Sequence, residues 1–219
     1  MCGQRVGAMQ AIRRSRNGTP MRSMPRQLNR PEETIILESG SISVSGAADR
    51  QRHDRRDQFI EAMSQAVSSV VVVTTDGPAG RAGLTVSAMS SVSADGPHPT
   101  LLICVHHLSP VAPAIIRNGV LCVNLLGSGQ VTVSDCFAGR RVDEFANKFD
   151  SAHWSCLETD APALEGALVN FDCRLLESSM VSTHHIFVAE VVAVRMDASH
   201  SVLAYSKRDY CQVAPTVRA

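Results

Sequence analysis

The chain has 219 residues, with 21 Lys and Arg balanced by 21 Asp and Glu. That length suffices for one domain with a substantial core, and a formal net charge of zero leaves no whole-molecule field to select nucleic acid or an acidic membrane surface. No apolar stretch reaches the roughly 18 residues that span a bilayer, and seven cysteines without a Cys-x-x-Cys pair argue against a disulfide framework. A soluble, cytoplasmic chain with neither nucleic acid nor membrane as partner is expected.

Residues 1–52 read as a flexible or mis-assigned N-terminal extension, because arginines recur without an acidic residue before Glu32 and the stretch after Glu38 is rich in Ser and Gly. An Arg-rich, acid-poor start is also what a transit peptide looks like. The domain is expected over residues 53–215. It opens with a helix over 55–67, where Phe59, Ile60, Met63 and Val67 fall at near-helical spacing. The β-branched run from Val70 to Thr75 predicts a buried strand, and Asp76-Gly77-Pro78 a turn. Strands follow over 82–85, 89–94 and 100–106, then a short helix over 111–118 that stops near Gly119, and a strand over 120–125.

Helical pieces are expected over 130–137 and 143–149. One long strand is expected to open at Pro162 and run on through Leu175, another over 186–194, and a closing hairpin over 202–205 and 210–213. Many short strands joined by turns, with few helices, predict a mainly β, barrel-like architecture. A parallel α/β sheet needs a regular strand–helix alternation that is missing here.

The segment from Gly83 to Ser93 says most about function. It sets Thr85, Ser87, Ser91 and Ser93 among small residues between two β-type runs. Small side chains let a ligand lie against the backbone, and hydroxyl and N–H groups can then hold a flat polar heterocycle or a phosphate. Ser and Thr also fill ordinary strand surfaces, so the types alone do not decide. Cys104, His106, His107, His184 and His185 are the only set that suggests a metal. Their spacing fits no familiar zinc pattern, and neighbouring residues on a strand point to opposite faces; no metal is expected.

The order of the pieces carries a resemblance. Arg56-Asp57-Gln58-Phe59, Val72-Val73-Thr74-Thr75, Gly83-Leu84-Thr85-Val86-Ser87-Ala88, Ser91-Val92-Ser93, Leu121-Cys122-Val123-Asn124-Leu125, Phe137-Ala138-Gly139, Trp154 and Thr183-His184 follow one another as in the flavin reductase-like family with the FMN-binding split-barrel fold. Within that family the chain resembles the reductase components of two-component 4-hydroxyphenylacetate 3-monooxygenases. The resemblance implies a Greek-key split β-barrel with short flanking helices, a homodimer, and an NAD(P)H:flavin oxidoreductase. Hydride would pass from NADH or NADPH to FMN or FAD, and the reduced flavin would diffuse to a separate flavin-dependent monooxygenase.

Residue by residue, the resemblance places Thr85, Val86, Ser87 and Ala88 on the flavin ring and phosphate, and Ser91, Val92 and Ser93 on the next flavin-facing strand. It places Ser109 near the flavin tail, and Asn124 and Leu125 beside the cofactor. Lys148 stands where relatives tend to carry Arg before Phe. Thr183 and His184 match the nicotinamide motif, with His184 as the catalytic candidate. Two departures stand out: Ser182 replaces a Gly, which restricts φ > 0, and His106 replaces a small polar residue near the flavin. They keep open a flavin-binding protein without nicotinamide turnover, or a reductase of another acceptor such as a corrin cobalt.

Overall fold

The computed structural model describes residues 44–141, 143–197 and 201–213, with residues 44–47 as backbone only. Residues 48–219 group as one compact unit. The first helix, α1 (Val44–Ser64), begins before the expected residue 55. Ala48, Arg50, Gln51 and Arg52 are good helix formers, and Arg52–Asp49 and His53–Asp57 lie at helical pairing distance. Part of the expected extension is therefore helical, and the remainder of it, residues 1–43, lies outside the described residues.

Short β1 (Ser68–Ser69) leads into β2 (Val71–Thr75), which is buried at every position. Val71 and Val73 enter one core cluster and Val70 and Val72 the other, so this β-branched run is covered on both faces. The strands β3 (Ala82–Val86), β4 (Met89–Ser93), β5 (Thr100–His106) and β6 (Val120–Leu125) lie within a residue of expectation. So does α2 (Val111–Asn118), which Gly119 ends at φ 69 with its N–H bonded to the Ile115 carbonyl. Helix α3 (Val131–Phe137) follows β6.

Two expectations fail locally. In place of a helix over 143–149 there is a 3-10 turn, Lys148–Ser151, started by a capping box between Asn147 and Asp150. The long strand expected from Pro162 is two elements: β8 (Ala163–Leu164), paired with β7 (Trp154–Ser155), and β9 (Val169–Val181). Gly166 at φ 69 turns the chain between them. β9 pairs along its length with β10 (His184–Met196), and β11 (Leu203–Ser206) with β12 (Asp209–Gln212) forms the closing hairpin.

Seven strands form an antiparallel sheet in the order β3-β2-β6-β9-β10-β5-β4. The two edge strands, β3 and β4, are consecutive in sequence and joined only by Ser87 and Ala88. So short a link spans roughly 10 Å, so the sheet must curl until its edges meet. That closure makes the barrel, and the seam between β3 and β4 is where it is split. Inside sit Ile103, Val105, Leu121, Val123 and Phe187; outside, a second core under α3 and the closing hairpin holds Leu126, Phe137, Phe149, Leu164 and Leu203.

The β9–β10 turn is Ser182–Thr183, and Ser182 adopts φ 54. This is the left-handed conformation that the missing glycine would favour, so the serine keeps the turn's shape under strain. A non-glycine residue loses roughly 1–2 kcal/mol there, while glycine loses about 0.4–1 kcal/mol more backbone entropy on folding. Ser182→Gly is therefore expected to stabilise the chain by about 1.6 kcal/mol at most, or roughly 3–6 °C in Tm. A lower Tm for the variant in thermal unfolding contradicts this account.

Candidate functional site

The seam positions the site. A cleft of about 480 Å³ opens along β3, lined by Gly83, Leu84 and Thr85 on one side and by Ser109, Phe137, Gly139, Arg141 and Lys148 around it. Gly83 is required by packing: a Cβ there would lie 2.7 Å from the Phe137 ring and 3.0 Å from the Val73 carbonyl oxygen. Phe137 in turn packs edge-on against Phe149, 5.0 Å between centroids, and Trp154 donates from Nε1 to the Phe149 carbonyl at 2.8 Å. The floor of the cleft is thus a rigid aromatic stack.

Lys148 is the cation this floor presents. Its Nζ donates to the Gly83 carbonyl at 2.7 Å and lies 5.5 Å from the Phe137 ring centroid. Among the described residues no carboxylate pairs with it, whereas Arg140 and Arg141 are neutralised by Asp135 and Glu144. Burial holds the Lys148 ammonium below the usual lysine range. A half-buried ammonium lacking an anionic partner is suited to receive one.

A second, smaller hollow of about 160 Å³ adjoins the first across Thr85 and Ala138, lined also by Val86, Ser87, Ser134, Arg140, Tyr205 and Tyr210. Tyr210 donates to Asp135 at 2.7 Å and lies 2.9 Å from Ser134 Oγ. Burial alone would raise the Asp135 carboxyl, but the hydrogen bonds from Tyr210 and Arg140 hold it below the usual carboxylate range. Thr85 donates its hydroxyl to the Ser134 carbonyl at 2.7 Å. That bond fixes α3 against the seam and leaves the Thr85 oxygen able only to accept from a ligand.

At the far side of Ser109, whose N–H bonds the His106 carbonyl at 2.9 Å, lies a group of imidazoles. His106 and His184 are register partners on β5 and β10, with ring centroids 4.9 Å apart. His107 stacks on His106 at 4.8 Å. The expectation that neighbouring histidines point apart fails because β5 ends at His106 and His107 belongs to the turn that follows. Among the described residues no group of three or more His, Cys, Asp or Glu side chains is placed to hold a metal ion. The Leu108 N–H donates to His106 Nδ1 at 3.1 Å, which requires that nitrogen to be bare. Desolvation, then the neighbouring His107 and His184, lower the His106 pKa below its ordinary 6.5. The sign follows: His106 is neutral above pH 6.5, and the Leu108 bond is lost only as the pH falls below that. An NMR titration is expected to place the His106 midpoint below 6.5, and a midpoint above it contradicts the arrangement.

The sequence candidates therefore divide. Thr85, Ser109 and Lys148 share the cleft; Thr85, Val86 and Ser87 share the smaller hollow; His106, Thr183 and His184 meet at the strand ends. Ala88, in the link between β3 and β4, accepts from the Cys104 N–H and so continues the β4–β5 ladder. Ser91, Val92 and Ser93 line a separate apolar hollow of about 280 Å³ with Phe171 and Val191. Asn124 is fully buried in a polar knot, and Leu125 packs against the barrel core; neither side chain lines the cleft. An Asn ending a strand gives no sign that its partners come from β2, β8 and β9. Gly139, Tyr205 and Tyr210 line the hollows but are not among the sequence candidates. Gly139 belongs to the Phe137-Ala138-Gly139 piece without a role of its own there, and the two tyrosines are brought in by the closing hairpin.

The flavin reductase like domain matches residues 63–214. The chain belongs to the flavin reductase-like family. A curated relative from Methylorubrum extorquens, FMN reductase (NADH) RutF 1, is 44% identical over 174 residues, covering 79% of this chain and 79% of its own length. Among solved structures, a flavin reductase from Haemophilus somnus is 38% identical with a TM-score of 0.67, covering 72% of this chain and 98% of that one. The NADH:FAD oxidoreductase of Streptomyces globisporus, in complex with NAD and FAD fragments, is 25% identical with a TM-score of 0.67, over 75% and 96%. The first relative is named an FMN reductase rather than a 4-hydroxyphenylacetate reductase component. The split-barrel architecture expected of a flavin reductase-like chain is the one observed.

Proposed function

We propose that the chain is an NADH-dependent flavin reductase that works on FMN, with the cleft beside β3 as its flavin site. The observation that carries this is Lys148, an ammonium without a carboxylate partner among the described residues, in a cleft of about 480 Å³ beside the Thr85 strip. The volume lies in the ordinary range for cofactor sites, and the donor set suits a phosphate at one end and a flat ring along small residues at the other. The names of the curated relatives support FMN and NADH over FAD and NADPH.

A bound flavin would supply the redox chemistry. The chain's part is placement. Lys148 and Ser109 would hold the phosphate end, and the backbone of Thr85, Val86 and Ser87 would back the ring. His184, with Thr183, would receive the nicotinamide at the strand ends, the chain's share being to bring the two rings together. No side chain here has to act as a nucleophile. Burial raises the Cys122 and Cys173 thiols, which keeps them protonated and inert at neutral pH.

The product is reduced flavin, which would leave the open cleft for a flavin-dependent monooxygenase. A homodimer is part of the same reading: Leu176, Met180, Val194 and Met196 on the β9–β10 arms are each at least half exposed, and a second copy would cover them. Residues 53–215 are taken as the working unit. NADH oxidation by the purified chain is expected to rise with added FMN, more steeply than with FAD, and to be slower with NADPH. No NADH consumption in the presence of saturating FMN overturns the proposal.

A further inference from the structure

We propose that His107 is a positioning residue for the nicotinamide side of the site: it holds the β9–β10 turn from which His184 projects. This rests on the reading of His184 given above. Ser182 in that turn sits at φ 54, and strain of this kind persists only where neighbours over-determine it. The neighbour is His107. Its backbone N–H and its ring Nδ1 each lie 2.9 Å from the Thr183 carbonyl oxygen. A carbonyl oxygen can only accept, so Nδ1 carries the proton. The neutral ring in this tautomer and the imidazolium both keep that N–H, so the clamp survives either charge state.

The clamp sits where it matters. The β5–β10 ladder ends at the pair His106 and His184, so beyond it His107 ties the turn to β5. Thr183, held by its carbonyl, also places its Oγ1 3.1 Å from His184 Nδ1. Movement of Thr183 therefore moves the partner of the His184 ring as well as its backbone. His106 plays another part. Its Nδ1 closes the turn at Leu108, and its ring touches both His107 and His184. Two adjacent imidazoles thus carry opposite tautomers, one facing the neighbouring hairpin and the other its own turn.

Steady-state kinetics on the full chain test this, with NADH varied at saturating FMN and FMN varied at saturating NADH. His107→Leu removes the ring donor and keeps the backbone N–H. It is expected to raise the KM for NADH about tenfold, the effect of one lost hydrogen bond, with the KM for FMN changed less than about twofold. His107→Asn puts an amide N–H close to the former Nδ1–H, and is expected to bring the KM for NADH back to within about threefold of the parent. An unchanged KM for NADH in His107→Leu overturns the proposal, as does an equal rise in both KM values with Asn no better than Leu. His184→Ala, measured alongside, separates the two readings. A raised KM for NADH there with none in His107→Leu removes the positioning role alone, whereas no rise in His184→Ala removes His184 from the nicotinamide site and the clamp's purpose with it.

Discussion

Lys148→Met is expected to weaken FMN binding by roughly 10- to 100-fold, the worth of a charge-assisted hydrogen bond to a phosphate. The reason is specific to its surroundings. Arg140 and Arg141 share Asp135, and Arg141 also takes Glu144, so their charges are already spent on the protein. Lys148 is half-buried over Phe137 and, among the described residues, has the Gly83 carbonyl as its acceptor, and burial already depresses its pKa. An arriving phosphate reverses that penalty, so the interaction is worth more here than at an exposed lysine. Flavin fluorescence titration of FMN and of riboflavin checks it. Riboflavin lacks the phosphate and is expected to lose less than about threefold in the variant. Equal losses for the two flavins would falsify the phosphate role and leave Lys148 as a support for the Gly83 backbone.

The second large effect falls on stability. Asn124 is fully buried, and its amide is used at both ends. Nδ2 donates to the Val72 carbonyl at 2.8 Å and to Thr74 Oγ1 at 3.1 Å; Oδ1 accepts from the Leu164 N–H at 2.8 Å and from Asn170 Nδ2 at 2.7 Å. Asn170 then accepts from Arg195 Nε at 2.8 Å, and Arg195 reaches Ser155 Oγ. One side chain thus joins β2, β6, β8 and β9. Asn124→Leu fits by volume but strands the Leu164 N–H and takes one of the two acceptors of Asn170 Nδ2, which keeps only the Leu164 carbonyl at 3.1 Å. At about 1–3 kcal/mol for each of these two groups, the loss is expected to be roughly 2–6 kcal/mol, a large part of a typical 5–15 kcal/mol. Urea unfolding measures it. The folded fraction is expected to bind FMN as the parent does, and a variant that keeps its unfolding midpoint but loses flavin would return Asn124 to the site.

The contrast between these two residues shows how far reading along the chain can go. Lys148 and Asn124 are equal candidates by position, since the family resemblance singles out each of them. Their surroundings separate them. Lys148 leads a 3-10 turn at the cleft's edge, while Asn124 faces the outer core from a strand covered on both sides. Which face of β6 is buried against β8 depends on a hairpin some 40 residues downstream, and no local pattern carries that information. His106 and His107 make the same point, because strand alternation sets them apart and the end of β5 sets them together.

Local chemistry is enough to specify the β-branched core strands, the Gly119 stop after α2, the closing hairpin and the ordered hydroxyl strip. Each of these is decided by residues within one or two turns of itself: side-chain branching, a left-handed φ, or small groups that allow close approach. Residue order alone therefore settles the mainly β class and the family. It takes the folded chain to make β3 and β4 the two edges of one sheet, and to lay Thr85 beside Ser109 and Lys148 as that sheet closes. The closure is a matter of long-range pairing and of a link too short to leave the edges apart, a constraint that exists only once every strand is in place.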